Sequence, residues 1–303
     1  MSENRAEWRR VGVIVPSSNT TVEADFMRCL PAGVTVHAAR MFLAETTAEA
    51  ERRMIYDHVP IAVADLATLK PHAVAFACTS GGAVLGADGE ARLISDIARE
   101  TGAVVVSTNT AVGAAIEQYG KKRIAVLTPY VDELNRAIQA GLERRGLTVV
   151  HMAGLGITDN FGICNVTPEE IVAFADRELA GVDFDLLFVS CTNFRAVEAR
   201  PSLMRRYGVP VVTSNQATIE ATATDPMVRL TSASFAINGK SWVNVFPSDG
   251  LFDSKREQFR FKTGPLKAGS YILVMRVRDA AGNTGSGDLM FTVKGSDEAR
   301  AAK

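Results

Sequence analysis

Residues 73–82 read AVAFACTSGG, and residues 186–195 read LLFVSCTNFR. In each, an apolar run ends in a cysteine, Cys78 or Cys191, and a threonine follows, Thr79 or Thr192. A short apolar run without alternation reads as a strand buried on both faces, the kind found in parallel sheets. The small polar residues behind it read as a turn at the strand's carboxyl end, where ligands of such sheets bind. Two copies of one construction suggest a duplicated unit, and the spacing agrees. Cys78 and Cys191 lie 113 residues apart, as do Pro16 and Pro129, which close the similar runs RVGVIVP and RIAVLTP. Asn109 in VVVSTNT and Asn215 in VVTSNQA are 106 apart. Matched offsets mean that each half repeats one βαβα pattern.

Working outward, residues 10–16 and 34–41 read as strands, with the hydroxyl-rich turn SSNTT between the first of them and a helix that Thr20 or Thr21 could cap. Residues 47–69 follow a helical pattern broken near Pro60. Residues 90–101 read as a helix closed by Gly102. Residues 103–107 then read as a strand and 110–119 as a helix. The second half repeats this, with strands at 123–129, 147–152 and 209–213, helices at 131–145, 168–180 and 201–207, and a loop at Ser214-Asn215-Gln216. Alternating strands and helices predict an α/β fold of two pseudo-symmetric lobes, 1–116 and 117–224, each a parallel sheet with helices on both faces. The polar loops all fall at strand carboxyl ends and should converge on one cleft. From residue 231 the pattern becomes antiparallel β, with turn residues and no helix between runs. Residues 231–294 are expected to form a small β-sandwich-like segment, and 295–303 a disordered tail.

The chain has 303 residues, 47% hydrophobic and 22% charged, which suits a protein with a sizeable core. A net charge of −1 favours neither nucleic acid nor an anionic membrane as partner. No apolar run reaches the roughly 18–20 residues of a membrane span. The opening MSENRAEWRR is too charged for a secretory signal, so a cytoplasmic location with free thiols is expected.

A thiol can serve as base or nucleophile because its pKa lies near 8.5 and is easily lowered. At a strand end just before a helix, backbone N–H groups and the helix dipole should favour thiolate. Thr79 and Thr192 would add a hydroxyl beside each sulfur. No metal or organic cofactor is required. One such cysteine would more often be packing. Two at matched positions of a duplicated unit point to chemistry. Cys29, in a helical pattern, and Cys164, in a loop, carry no such signal.

Together, VIVPSSNTTVEADF, FACTSGG, VLTPY, GITDN and VSCTNFR resemble the maleate cis–trans isomerase branch of the aspartate/glutamate racemase superfamily, over residues 8 to 218. The resemblance implies conversion of maleate, or a close cis-dicarboxylate, to fumarate without a cofactor. It implies Cys78 as the nucleophile that adds to the alkene carbon, and Cys191 as the thiol that supplies and later removes a proton. Asn19, Tyr130 and Asn160 would hold the two carboxylates, with Thr79, Thr192 and Asn215 lining the same site. A homo-oligomer is expected. The 231–294 segment resembles a partial immunoglobulin-like or fibronectin-like module.

Each supporting residue also has a structural reading: Asn19 could cap the next helix, Tyr130 could be a rim aromatic, and Asn160 could be a turn residue. Asn215 and Thr79 could shape loops, and Arg195 could pair with Glu198. Two other functions fit the cleft. A two-cysteine amino-acid or hydantoin racemase would use the same thiols as paired bases, and a two-lobed binding protein would need no reactive thiol. An arylmalonate-type decarboxylase resembles this pattern but keeps only the second cysteine. The threonine-rich ATIEATATDPM suggests that the family's lobe-closing helix is shortened or replaced.

Overall fold

The computed structural model describes residues 9–30, 33–223, 230–246, 248, 258–279 and 284–294. The chain divides into two compact units, Met1–Thr222 and Ala223–Lys303.

The first unit opens with β1 (Arg9–Pro16), α1 (Val22–Cys29), β2 (Val34–Met41), α2 (Ala48–Arg53), a π-helical turn (Met54–His58), α3 (Val59–Ala67), β3 (Ala73–Phe76), α4 (Thr79–Thr101), β4 (Val104–Ser107) and α5 (Thr108–Gln118). It continues with β5 (Arg123–Thr128), α6 (Asp132–Arg144), β6 (Thr148–Gly154), α7 (Asn160–Ile163), α8 (Pro168–Glu178), β7 (Leu186–Val189), α9 (Ala196–Tyr207), β8 (Val211–Thr213) and α10 (Ser214–Ala223). The strands form two four-stranded sheets, ordered β2-β1-β3-β4 and β6-β5-β7-β8, with every pairing parallel. The duplication is therefore a repeat of one topology. In both sheets the order reverses beside the first strand, so the crevice at the carboxyl ends opens between β1 and β3 and between β5 and β7. The loops holding Asn19, Cys78, Tyr130 and Cys191 lie there.

Side chains alternate across β1 because successive residues of a strand point to opposite faces. Ile14 joins a core with Met54, Ile55, Val59, Leu66 and Phe76 on one face. Val11, Val13 and Val15 meet Val22, Phe26 and Ile219 on the other. Ile219 belongs to α10, so a lobe-closing helix of ten residues packs into the first lobe's core and is not replaced by the β segment. Its threonines are accommodated by back-bonding: Thr218 and Thr222 donate to carbonyls one turn earlier, Ser214 O and Thr218 O. Residues 214–216, expected as a loop, are its first turn.

A second difference lies in α4, which begins at Thr79 rather than near residue 90. The TSGG segment looks like a turn, yet its glycines serve close packing. A Cβ on Gly81 would stand 3.1 Å from both the Cys78 sulfur and a Glu51 carboxylate oxygen. The helix is interrupted at Gly86, with φ 68° and ψ 175°, values open mainly to glycine.

The second unit holds β9 (Leu230–Ile237), β10 (Val243–Val245), β11 (Gly269–Asp279) and β12 (Thr284–Val293) in one antiparallel sheet, ordered β10-β9-β11-β12. A sandwich needs two sheets, and among the described residues there is one. Its apolar face, with Ala233, Phe235 and Val245, is covered by Phe259 and Phe261 from an irregular segment. Phe235 and Phe261 stack at 4.3 Å between ring centroids. The expected 295–303 tail lies outside the described residues. Among those residues, no helix is long and apolar enough to cross a membrane.

Candidate active site

Cys78 follows β3 as the N-cap of α4, and its sulfur accepts the Gly81 N–H at 3.3 Å. The helix start thus closes on the sulfur, because the first N–H groups of a helix lack intrahelical partners. Glu51 reaches the same sulfur from α2. It is 0% exposed, and the Cys78 thiol donates to its Oε2 at 3.5 Å. The Ser80 hydroxyl donates to the other carboxylate oxygen, Oε1.

Cys191 follows β7 with φ +105°, a region rare for a residue with a Cβ. Such a conformation persists only where surroundings impose it. Here the Cys191 N–H donates to Ser214 Oγ at 3.0 Å, and its sulfur accepts the Asn193 N–H at 3.3 Å. The Tyr130 hydroxyl also hydrogen-bonds this sulfur. Tyr130 lies close enough to both sulfurs for each to push its pKa up, so it is their common neighbour.

The other expected residues gather around the thiols. Asn19 does both jobs considered for it. Its Oδ1 caps α1 by accepting the N–H groups of Thr21 and Val22, at 2.9 and 3.0 Å. Its amide donates across to Thr192 Oγ1 at 3.2 Å. Thr192 in turn donates to the Ala77 carbonyl at 3.2 Å, one residue before Cys78. Asn160 opens α7 and donates to Ser18 Oγ at 2.7 Å. An amide carries two N–H donors, so Asn19 and Asn160 each have one beyond these bonds. Thr79 donates to Ser214 Oγ at 3.0 Å. Asn215 is turned away from this role: its amide donates to Asp25 Oδ2 at 2.8 Å and to the Thr192 carbonyl at 2.9 Å, so it braces the Cys191 loop. Arg195 pairs with Glu198 through two bonds of 2.9 Å, the structural reading.

Three residues of the site were not singled out in the sequence. Asn193 accepts the Thr20 N–H at 3.0 Å and donates to the Asn160 carbonyl at 2.6 Å, tying three loops together. Ser214 links Thr79 to Cys191. Glu51 looked like an acidic residue in an exposed first helical turn. Its spacing from Ala48 and Met54, all buried, was the available signal: it sits on the apolar stripe.

The expectation of thiolates at rest is overturned. Burial pushes Cys78 well above the usual thiol range, and the nearby Glu51 charge adds to this, outweighing the Gly81 N–H. Burial pushes Cys191 up to about 12 despite the Tyr130 and Asn193 bonds. Desolvation disfavours the charged form of any acid, and both sulfurs are fully enclosed. Glu51 is likewise pushed up to about 7 by burial. The resting site holds two neutral thiols.

The site is shut. Cys78, Cys191, Tyr130, Asn19 and Asn160 are each 3% exposed or less. Beside it the 44–46 segment meets the 157–160 segment, with an isolated bridge between Glu45 and Asp159 and the Thr46 N–H on the Thr158 carbonyl at 2.8 Å. A separate cavity of about 190 Å³ lies beyond the first turn of α4, between α4 and α6, lined by Gly82, Glu90, Asn109 and Leu142 among others.

The sequence model of the arylmalonate decarboxylase family matches residues 11–234. An arylmalonate decarboxylase of Bordetella bronchiseptica is 30% identical over 212 residues, covering 68% of this chain and 86% of that protein. A maleate isomerase of Nocardia farcinica is 28% identical over 216 residues, covering 68% and 85%. A cysteine-to-serine variant of the Nocardia farcinica maleate cis–trans isomerase, solved with a covalently bound succinylcysteine intermediate, superposes with a TM-score of 0.65 at 27% identity, covering 70% of this chain and 90% of that one.

Proposed function

Because the chain belongs to the arylmalonate decarboxylase family, we propose that it works as a cofactor-independent isomerase, turning maleate or a close cis-dicarboxylate into the trans isomer through a covalent adduct on Cys78. The observation that carries this reading is the pair of buried thiols, one from each sheet, with Tyr130 close to both. Protonating a carbanion after decarboxylation takes one thiol. Adding a nucleophile to an alkene while protonating the neighbouring carbon takes two groups, and this site has both.

In this reading the Cys78 sulfur bonds to one alkene carbon and the π pair moves to the other, which takes the Cys191 proton. The double bond becomes single and can rotate. Cys191 then removes a proton and the C–S bond breaks, releasing the trans product. One high barrier is replaced by two lower ones. In this reading Asn19 and Asn160 hold the carboxylates, and Tyr130 and the Asn193 N–H stabilise the Cys191 thiolate while it exists.

The test is incubation with maleate followed by proton NMR. Wild type should yield fumarate, and Cys78→Ala none. In Cys191→Ser, the peptide bearing Cys78 should gain the mass of one maleate. A folded wild-type protein that produces no fumarate overturns the reading.

A further inference from the structure

We infer that Glu51 is a catalytic base of this site: its carboxylate takes the proton of the Cys78 thiol as sulfur attacks, and returns it when the C–S bond breaks. This rests on Cys78 being the attacking thiol. The geometry is direct. The thiol donates to Glu51 Oε2 at 3.5 Å, and Ser80 fixes the carboxyl by donating to Oε1. A Cβ at Gly81 would crowd both the sulfur and Oε2, so a glycine there keeps the two groups together.

A neutral thiol is a poor nucleophile, and this one is held neutral by burial. Attack therefore requires that its proton leave as the S–C bond forms, and Glu51 Oε2 is its hydrogen-bonded acceptor. The balance closes. One proton passes from sulfur to Glu51, the sulfur lone pair makes the new bond, and the π pair moves to the second carbon. Elimination reverses each transfer. A base poised near the working pH is the efficient one, and burial places Glu51 at about 7.

A structural role explains Glu51 poorly. Fully buried carboxylates are ordinarily paired with a cation. Cys78 and Ser80 hydrogen-bond Glu51 from the α4 side, and Tyr130 and Cys191 are near enough to feel its charge. None is cationic. Taking up the thiol proton also neutralises Glu51 while a dicarboxylate is bound, which removes a like-charge repulsion that a permanent anion would keep.

Two readouts test the inference. The first is the rate of Cys78 alkylation by iodoacetamide, followed by peptide mass spectrometry against pH, which needs no substrate assignment. In wild type the rate should rise through an inflection near pH 7. In Glu51→Gln the inflection should vanish and the rate at pH 8 should fall about tenfold or more, with Glu51→Asp recovering part of it. If Glu51 acted only as a neighbouring charge, Gln would make the thiol more acidic and alkylation faster. A faster or unchanged rate therefore overturns the inference. The second readout is turnover of maleate, where Glu51→Gln should lower kcat about 10²-fold or more with KM little changed. A wild type inactive on maleate would sink the isomerase reading and leave the alkylation result to decide Glu51.

Discussion

Thr79 and Cys191 meet on a single oxygen: Ser214 Oγ accepts the Thr79 hydroxyl and the Cys191 backbone N–H, each at 3.0 Å. The helix that starts at one thiol is thereby joined to the loop that carries the other. All three residues are buried, so neither donor can turn to water. Ser214→Ala should cost about 1–3 kcal/mol for each donor left unpaired. The check is a lower urea midpoint at unchanged m-value. Because Cys191 holds its unusual φ partly through this bond, activity should fall as well. A variant with wild-type stability and turnover would show that Ser214 is not the brace.

Tyr130→Phe keeps the ring in its packed place and removes the hydroxyl from the Cys191 sulfur. Since that bond favours the thiolate, the Cys191 pKa should rise further above about 12. Loss of one hydrogen bond to a charged group corresponds to about 1.5–3 kcal/mol, or roughly tenfold to 150-fold in kcat. Single-turnover measurements should show slower formation of the Cys78 adduct, because that step takes the Cys191 proton. An unchanged adduct rate would remove Tyr130 from the Cys191 proton transfer.

Glu51 also makes stability depend on pH. Its folded-state pKa is about 7, raised from 4.5 by burial. A group raised on folding contributes stability that is fully present below the unfolded value and lost as pH rises through the folded one. Wild type should therefore weaken relative to Glu51→Gln between pH 4.5 and pH 8, by roughly 3 kcal/mol in total. Urea unfolding of both proteins at pH 5 and pH 8 measures the gap. A gap that stays constant would mean that Glu51 ionises in the folded protein as easily as in water.

Gly154 ends β6 where a Cβ would overlap the Tyr130 carbonyl and the Asn135 amide. The obstacle is partly backbone and cannot swing aside. Gly154→Ala should cost about 1–3 kcal/mol through overpacking and displace Tyr130 from Cys191. Reduced thermal stability together with reduced turnover is the expected result. Normal turnover in a destabilised variant would separate Gly154 from the site.

The strands were legible because parallel strands buried on both faces are written as plain apolar runs, and AVAFAC and LLFVSC have few other readings. The thiol pair was legible because a duplicated topology repeats its spacing. The start of α4 was not, because Thr79–Gly82 has the composition of a turn and becomes helical where Cys78 caps it and Glu51 and Met54 pack against Gly81. Glu51 was missed for a related reason. In TTAEAERR a carboxylate looks solvated, and only the tertiary partner of α2 shows that it points inward. The protonation of the thiols went the other way from the local argument. A helix start favours thiolate, but full enclosure outweighs it, and enclosure is a property of both lobes. Asn215 was found at the right place with the wrong partner, since the neighbouring Asp25 comes from a distant helix.

Enclosure has a further consequence, for the idle molecule. Sulfur oxidation by peroxide needs an accessible thiolate. Cys78 and Cys191 offer neither at rest, whereas Cys29 stands exposed on α1. A molecule with nothing bound should lose activity to peroxide slowly. If turnover on these thiols opens the walls, peroxide should inactivate the working protein faster than the empty one, the reverse of the usual protection by substrate.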